Sequence, residues 1–290
     1  MFATLVGPYP GATESAALEE LTAAGLEPVS DGRGALDVST DPSAAERLVD
    51  EWRQAAQGAA VAVKLALLGP YSAARRSGLE PLRAAEAVAE AVDRLAAAGC
   101  PFVEIEEPDA VAAAAAGALE VQRLAAALRR FGSALESQVH LSLVLTGGNV
   151  DGIGAAILFE LPFASYAFDL IAGPDNWRLI AEAPADRGIV CGVLDPSDAA
   201  DDRPEPLVWA AHYAASTRGR GLGRVGIANA SSLVAAGLDR TRARRKVEAL
   251  AEAARLASLE DPRELASKLD PRAVDSRSAA LGRYESRDRT

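Results

Sequence analysis

Short apolar runs rich in Val, Ile, Leu and Phe alternate along this chain with longer Ala/Leu/Glu/Arg stretches of helical period. That alternation restricts the fold to parallel strands joined by right-handed helical crossovers. The spacing predicts strands at 2–6, 27–30, 61–68, 102–106, 138–143, 165–168, 188–194 and 224–228. Helices are expected at 14–24, 43–56, 81–98, 110–131, 151–160, 176–182, 205–216 and 241–258. Gly25, Gly99 and Gly132 stand where helices should stop, since glycine takes the left-handed C-cap without a Cβ clash. Eight βα units favour a closed α/β (β/α)8 TIM barrel over an open doubly wound sheet. An open sheet would more readily carry a glycine-rich phosphate loop after its first strand. The segment GRGLGR at 219–224 has the glycines but precedes a strand, so it fails that context. Of 290 residues, 1–269 are expected to form one barrel domain and 270–290 a polar C-terminal tail.

Composition narrows the partners. A formal charge of −11 repels phosphate backbones and anionic lipid, which argues against nucleic acid and membrane. The basic run Arg240, Arg242, Arg244, Arg245 and Lys246 has helical spacing and reads as a solvated helix face. Two cysteines, Cys100 and Cys191, are too few for a disulfide framework or a Cys-rich metal site. The start MFATLVGPYPG lacks the basic and apolar regions of a signal peptide, and no segment is apolar for long enough to span a bilayer. A cytoplasmic location is therefore expected.

In a barrel, chemistry sits where strands end, so polar residues closing apolar runs are the candidates. The second expected strand ends VSDGRG, with Asp31 and Arg33. The fourth ends VEIEEP, with Glu104, Glu106 and Glu107; adjacent acids closing a buried strand need partners or water. The fifth carries His140 and Ser142 on one face, because strand side chains alternate. The sixth ends with Asp169, and the seventh in LDPSD with Asp195 and Asp198, where a turn role for Asp195 is as reasonable as a catalytic one. His212 falls in a helix and reads as structural.

Several of these segments resemble the catalytic C-terminal domain of cobalamin-independent methionine synthase, of the uroporphyrinogen decarboxylase-like barrels. The likeness runs in order over 2–258 through LVGPYPG, GLEPVSDGR and VKLALLGPYS, and is most specific in AVDRLAAAGCPFVEIEEPDA. That family holds zinc with a histidine, two cysteines and a glutamate and activates a thiol for methyl transfer. The resemblance puts His140 at the histidine, Ser142 and Ser231 at the cysteines, and Asp169 at the glutamate. Serine hydroxyls stay protonated near neutral pH and lack sulfur's softness, so a degenerate site without bound metal is expected. Pro8 stands where the family has the serine that meets the homocysteine carboxylate, and Arg33 where it has a glutamate for the amino group. Glu106 stands at the aspartate of the acid-acid-Pro motif.

The resemblance, with these departures from it, implies a divergent, methyltransferase-like group-transfer enzyme for a small anionic metabolite. Glu106, His140 and Asp169 would be catalytic; Arg33, Glu107, Ser142, Asp195 and Ser231 would bind substrate. The methyl donor could be a folate or a corrinoid, the latter delivered by a corrinoid protein. Two alternatives stay open: thiol methylation with an altered ligand set, and a metabolite-binding descendant without catalysis.

Overall fold

One continuous ladder joins seven parallel strands in the order β1-β7-β6-β5-β4-β3-β2 in this computed structural model, which describes residues 1–41, 43–197 and 202–269. The strands are β1 (Phe2–Ala3), β2 (Leu65–Leu68), β3 (Phe102–Glu106), β4 (His140–Leu145), β5 (Ser165–Asp169), β6 (Gly188–Leu194) and β7 (Val225–Asn229). Helices α1 (Glu14–Ala24) and α2 (Ala44–Gly58) precede β2, and α3 (Pro70–Ser77) and α4 (Pro81–Ala97) follow it. Then α5 (Ala110–Ala116) and α6 (Ala118–Ala134) follow β3, α7 (Ala155–Glu160) follows β4, and α8 (Asn176–Glu182) follows β5. Last come α9 (Pro204–Ser216) after β6, then α10 (Arg240–Ala257) and α11 (Pro262–Lys268) after β7.

Alternation sorts each strand's side chains. Leu67, Ile105, Leu143, Phe168, Cys191 and Ile227 turn to the helices and are buried in the main core. The other parity faces the concave side, where Phe2, Val6, Val144, Ala167, Val190 and Ala228 form a separate apolar layer. Among the described residues no helix is long and apolar enough to cross a membrane.

The ladder does not close into the eight-stranded barrel that the alternation predicts. The expected strand at 27–30 is reduced to a single bridge, Val29 to Val63, followed by a second from Leu36 to Leu67. Pro28 has no N–H to offer a ladder. Glu27 N donates to Ala3 O, and Val29 N to Ala62 O, so the segment still spans the gap between β1 and β2. The concave side reinforces this seam. Lys64, 1% exposed, donates to Leu5 O and to Glu104 Oε1, both at 2.6 Å.

Three helical expectations also change, one of them at 151–160, where Gly154 at φ 86° separates a 3₁₀ turn (Asp151–Ile153) from α7. The stretch 110–131 is two helices, because Gly117 takes φ 94° and breaks the backbone between them. The segment after β2 forms α3, with Gly69 at its N-cap, Pro70 in its first turn and Gly78 at its end. Asp198 and the tail 270–290 lie outside the described residues.

Candidate active site

Glu106 closes β3 on the concave side of the sheet. Its Oε1 is buried and has no hydrogen-bond partner among the described residues. Burial and the like charge of Glu104 push its carboxyl up to about 7, against the pull of Lys64, the Gly7 N–H and Arg76. A carboxyl poised near neutrality can give or take a proton at physiological pH.

Below it lies the Lys64–Glu104 ion pair, both partners almost fully buried. Glu104 is in register with Ser142 on β4, whose buried Oγ also has no partner among the described residues. Ser142 and Glu106 thus share one face of neighbouring strands, diagonally across the ladder. The turn after β1 packs on this end, since Asn229 accepts from Val6 N and donates to Val6 O and Ser231 O.

Asp169 closes β5 at the same end, but its oxygens are occupied. Oδ2 accepts from Gly147 N, and Oδ1 from Ile171 N and Ala172 N, which ties the loop after β4 to the loop after β5. Its carboxyl is raised by burial in spite of those bonds. Asp195 follows β6 and forms a local turn, accepting from Ser197 N and Oγ, while its carbonyl takes a bond from Lys246. Ser231 follows β7 and is half-buried. Glu106, Asp169, Asp195 and Ser231 therefore share the end of the sheet where the strands finish.

Three expected site residues are placed elsewhere or already engaged. His140 is the first residue of β4, because the strand spans His140–Leu145 instead of 138–143. It pairs in register with Phe102, whereas Glu106 pairs with Val144, about 13 Å further along at about 3.3 Å per residue. His140 therefore belongs to the opposite end of the sheet from Glu106 and Asp169. Glu107 points away from the concave side and is fully buried. Its oxygens accept from Tyr71 N, Ser72 N and Ser72 Oγ, anchoring the first turn of α3, and burial pushes its carboxyl up to about 7. Arg33 is enclosed by Asp31, Glu51 and Glu14, so its guanidinium is already neutralised.

The residues do not fit the zinc ion that the family resemblance implies. His140 is at the wrong end, and the hydroxyls of Ser142 and Ser231 are poor zinc ligands. Cys191 donates its thiol to Ala210 O on the helical side, and burial pushes it up to about 12. Among the described residues no group of three or more His, Cys, Asp or Glu could hold a metal ion.

Two residues near Glu106 escaped the reading of the sequence. Lys64 lies within an apolar run, where a lone lysine in a strand was the available signal. Arg76 lies on α3, has a side chain 56% exposed, and only grazes Asp109 at 3.8 Å. Its helix was not expected, so its place at the strand ends was not legible.

No family model matches this chain, and no curated protein does. Solved structures give the class of fold. A B12-independent methionine synthase from Shewanella sp. W3-18-1, in complex with selenomethionine, superposes with TM-score 0.72 at 14% identity, covering 91% of this chain and 98% of that one. A Listeria monocytogenes protein described as a vitamin-B12-independent methionine synthase gives 0.66 at 13% identity, covering 88% and 97%. D-Psicose 3-epimerase from Clostridium cellulolyticum H10, with D-tagatose, gives 0.58 at 12% identity, covering 89% and 99%. At such identities the likeness establishes a barrel-type α/β fold, one shared by proteins of different chemistry.

Proposed function

We propose that this chain is an enzyme acting on a small molecule at the C-terminal ends of its strands, by methyltransferase-like group transfer with Glu106 as general acid–base. The observation that carries the reading is the Glu106 carboxyl, whose Oε1 is free of partners and which is pushed up to about 7. Transfer of a methyl group to an O–H, N–H or S–H acceptor breaks the bond to its donor, which leaves with the bonding electrons, and frees the acceptor's proton, which the Glu106 carboxylate takes up. Group transfer is proposed by analogy with the methionine synthases that share this fold. Arg76, exposed and within electrostatic reach of Glu106, takes the role expected of Arg33 in meeting an anionic substrate end. Thiol methylation through zinc loses support, because its ligand set does not converge.

The test is turnover with methylcobalamin or methyltetrahydrofolate as donor and a panel of thiol, amine and hydroxyl acceptors. Glu106→Gln should cost a factor of roughly 10²–10⁴ in kcat/KM, and the wild-type rate should rise through pH 7. Arg76→Ala should raise KM, whereas Arg33→Ala should leave KM alone. Turnover that survives Glu106→Gln unchanged, or none with any donor, sinks the reading.

A further inference from the structure

His140, displaced from the strand ends, lines a cavity of about 290 Å³ at the opposite end of the sheet. We infer that this cavity is a second small-molecule site, which takes a ring-bearing zwitterion of amino-acid size. Its inner wall is aromatic. The His140 ring stacks on Phe102 with centroids 4.5 Å apart and planes inclined by 18°. Ser165 Oγ lies 2.9 Å from His140 Nε2, so the imidazole is fixed by a side chain as well as by the stack. Phe2 completes that wall, and its ring fits because Gly226 has no Cβ; one there would lie 2.4 Å from the ring.

Phe2 belongs to the apolar layer with Val144, Ala167, Val190 and Ala228. That layer separates this cavity from the end that carries Glu106. The site is a distinct one.

The charged groups define the ligand. Asp186 and Arg224 both line the cavity, and among the described residues neither side chain makes a hydrogen bond or an ion pair. Two opposite charges that face one cavity without pairing suit a ligand that carries both complements. Asp186 would receive an ammonium, Arg224 a carboxylate, and the Phe102–His140 stack a flat ring. Both charges are exposed and screened, so the dissociation constant should be on the order of a millimolar.

The chain has only two histidines, so imidazole NMR gives a direct readout, with His212 as the reference within the same molecule. The probe is L-phenylalanine, compared with phenethylamine and 3-phenylpropionate, which each lack one charge. The expected result is a saturable His140 shift with L-phenylalanine, several-fold weaker binding of each analogue, and no change at His212. Arg224→Ala should weaken phenylalanine and phenylpropionate but spare phenethylamine; Asp186→Ala should weaken phenylalanine and phenethylamine but spare phenylpropionate. Both positions are exposed, and the His140 and His212 signals report whether the fold is kept. No saturable shift up to tens of millimolar, equal affinity for all three probes, or indifference to both substitutions would overturn the proposal. None of these outcomes depends on Glu106.

Discussion

Replacing Lys64 by methionine probes the interior on which the Glu106 environment rests. Lys64 and Glu104 are 1% and 2% exposed, and the ammonium also satisfies Leu5 O across the seam between β1 and β2. Met keeps most of the volume but strands a buried carboxylate, which costs about 3–5 kcal/mol. The orphaned carbonyl adds about 1 kcal/mol. Removing both charges, in Lys64→Met with Glu104→Met, leaves no stranded ion and should fall within about 1 kcal/mol of wild type, or above it. Urea unfolding at neutral pH, followed by tryptophan fluorescence and circular dichroism, yields the four corners of the cycle. A favourable coupling of at least about 2 kcal/mol is expected. If Lys64→Met costs less than about 1 kcal/mol, or if the two single losses simply add, the pair is not the buried ionic staple described above.

Glu106→Gln should separate from wild type in stability as pH rises. The folded carboxyl holds its proton up to about 7 against an ordinary 4.5, so wild type loses stability as pH rises from about 4.5 through 7. The variant does not. Its advantage should grow from near zero in acid to a ceiling of about 3 kcal/mol above pH 7, read from urea curves at each pH. Glu107→Ala leaves the N–H groups of Tyr71 and Ser72 buried without an acceptor and should cost on the order of 3 kcal/mol in the same unfolding assay. Asp169→Ala should cost about 2 kcal/mol and speed amide exchange at Gly147, Ile171 and Ala172, whose N–H groups it releases.

Some of this was legible in the residues, and some was not. The run at 102–106 and the run at 188–194 are strands with those bounds: Pro101 precedes the first and Glu106 closes it, while Gly188 opens the second and Asp195-Pro196 follows it. Parity was also legible: His140 and Ser142 do lie on one face. Register was not. Moving the strand two residues toward Leu145 keeps every side chain on its face yet carries His140 to the opposite end, and apolar alternation is blind to that shift. Arg33 and Glu107 failed differently. Each is a charged residue at a strand end, as a site would require, but each is already engaged: Arg33 by its neighbour Asp31 and by Glu14 and Glu51 from other stretches, and Glu107 by the first turn of α3. The buried Lys64–Glu104 pair joins residues 40 apart and was invisible for the same reason.

A carbon-detected NMR pH titration of the glutamate side chains, with the Glu106 signal identified by its loss in Glu106→Gln, bears most directly on the proposed chemistry. A midpoint near 7 is expected for that carboxyl. A midpoint at or below the ordinary 4.5 would mean that Glu106 is fully ionised at neutral pH and is no acid–base group at all.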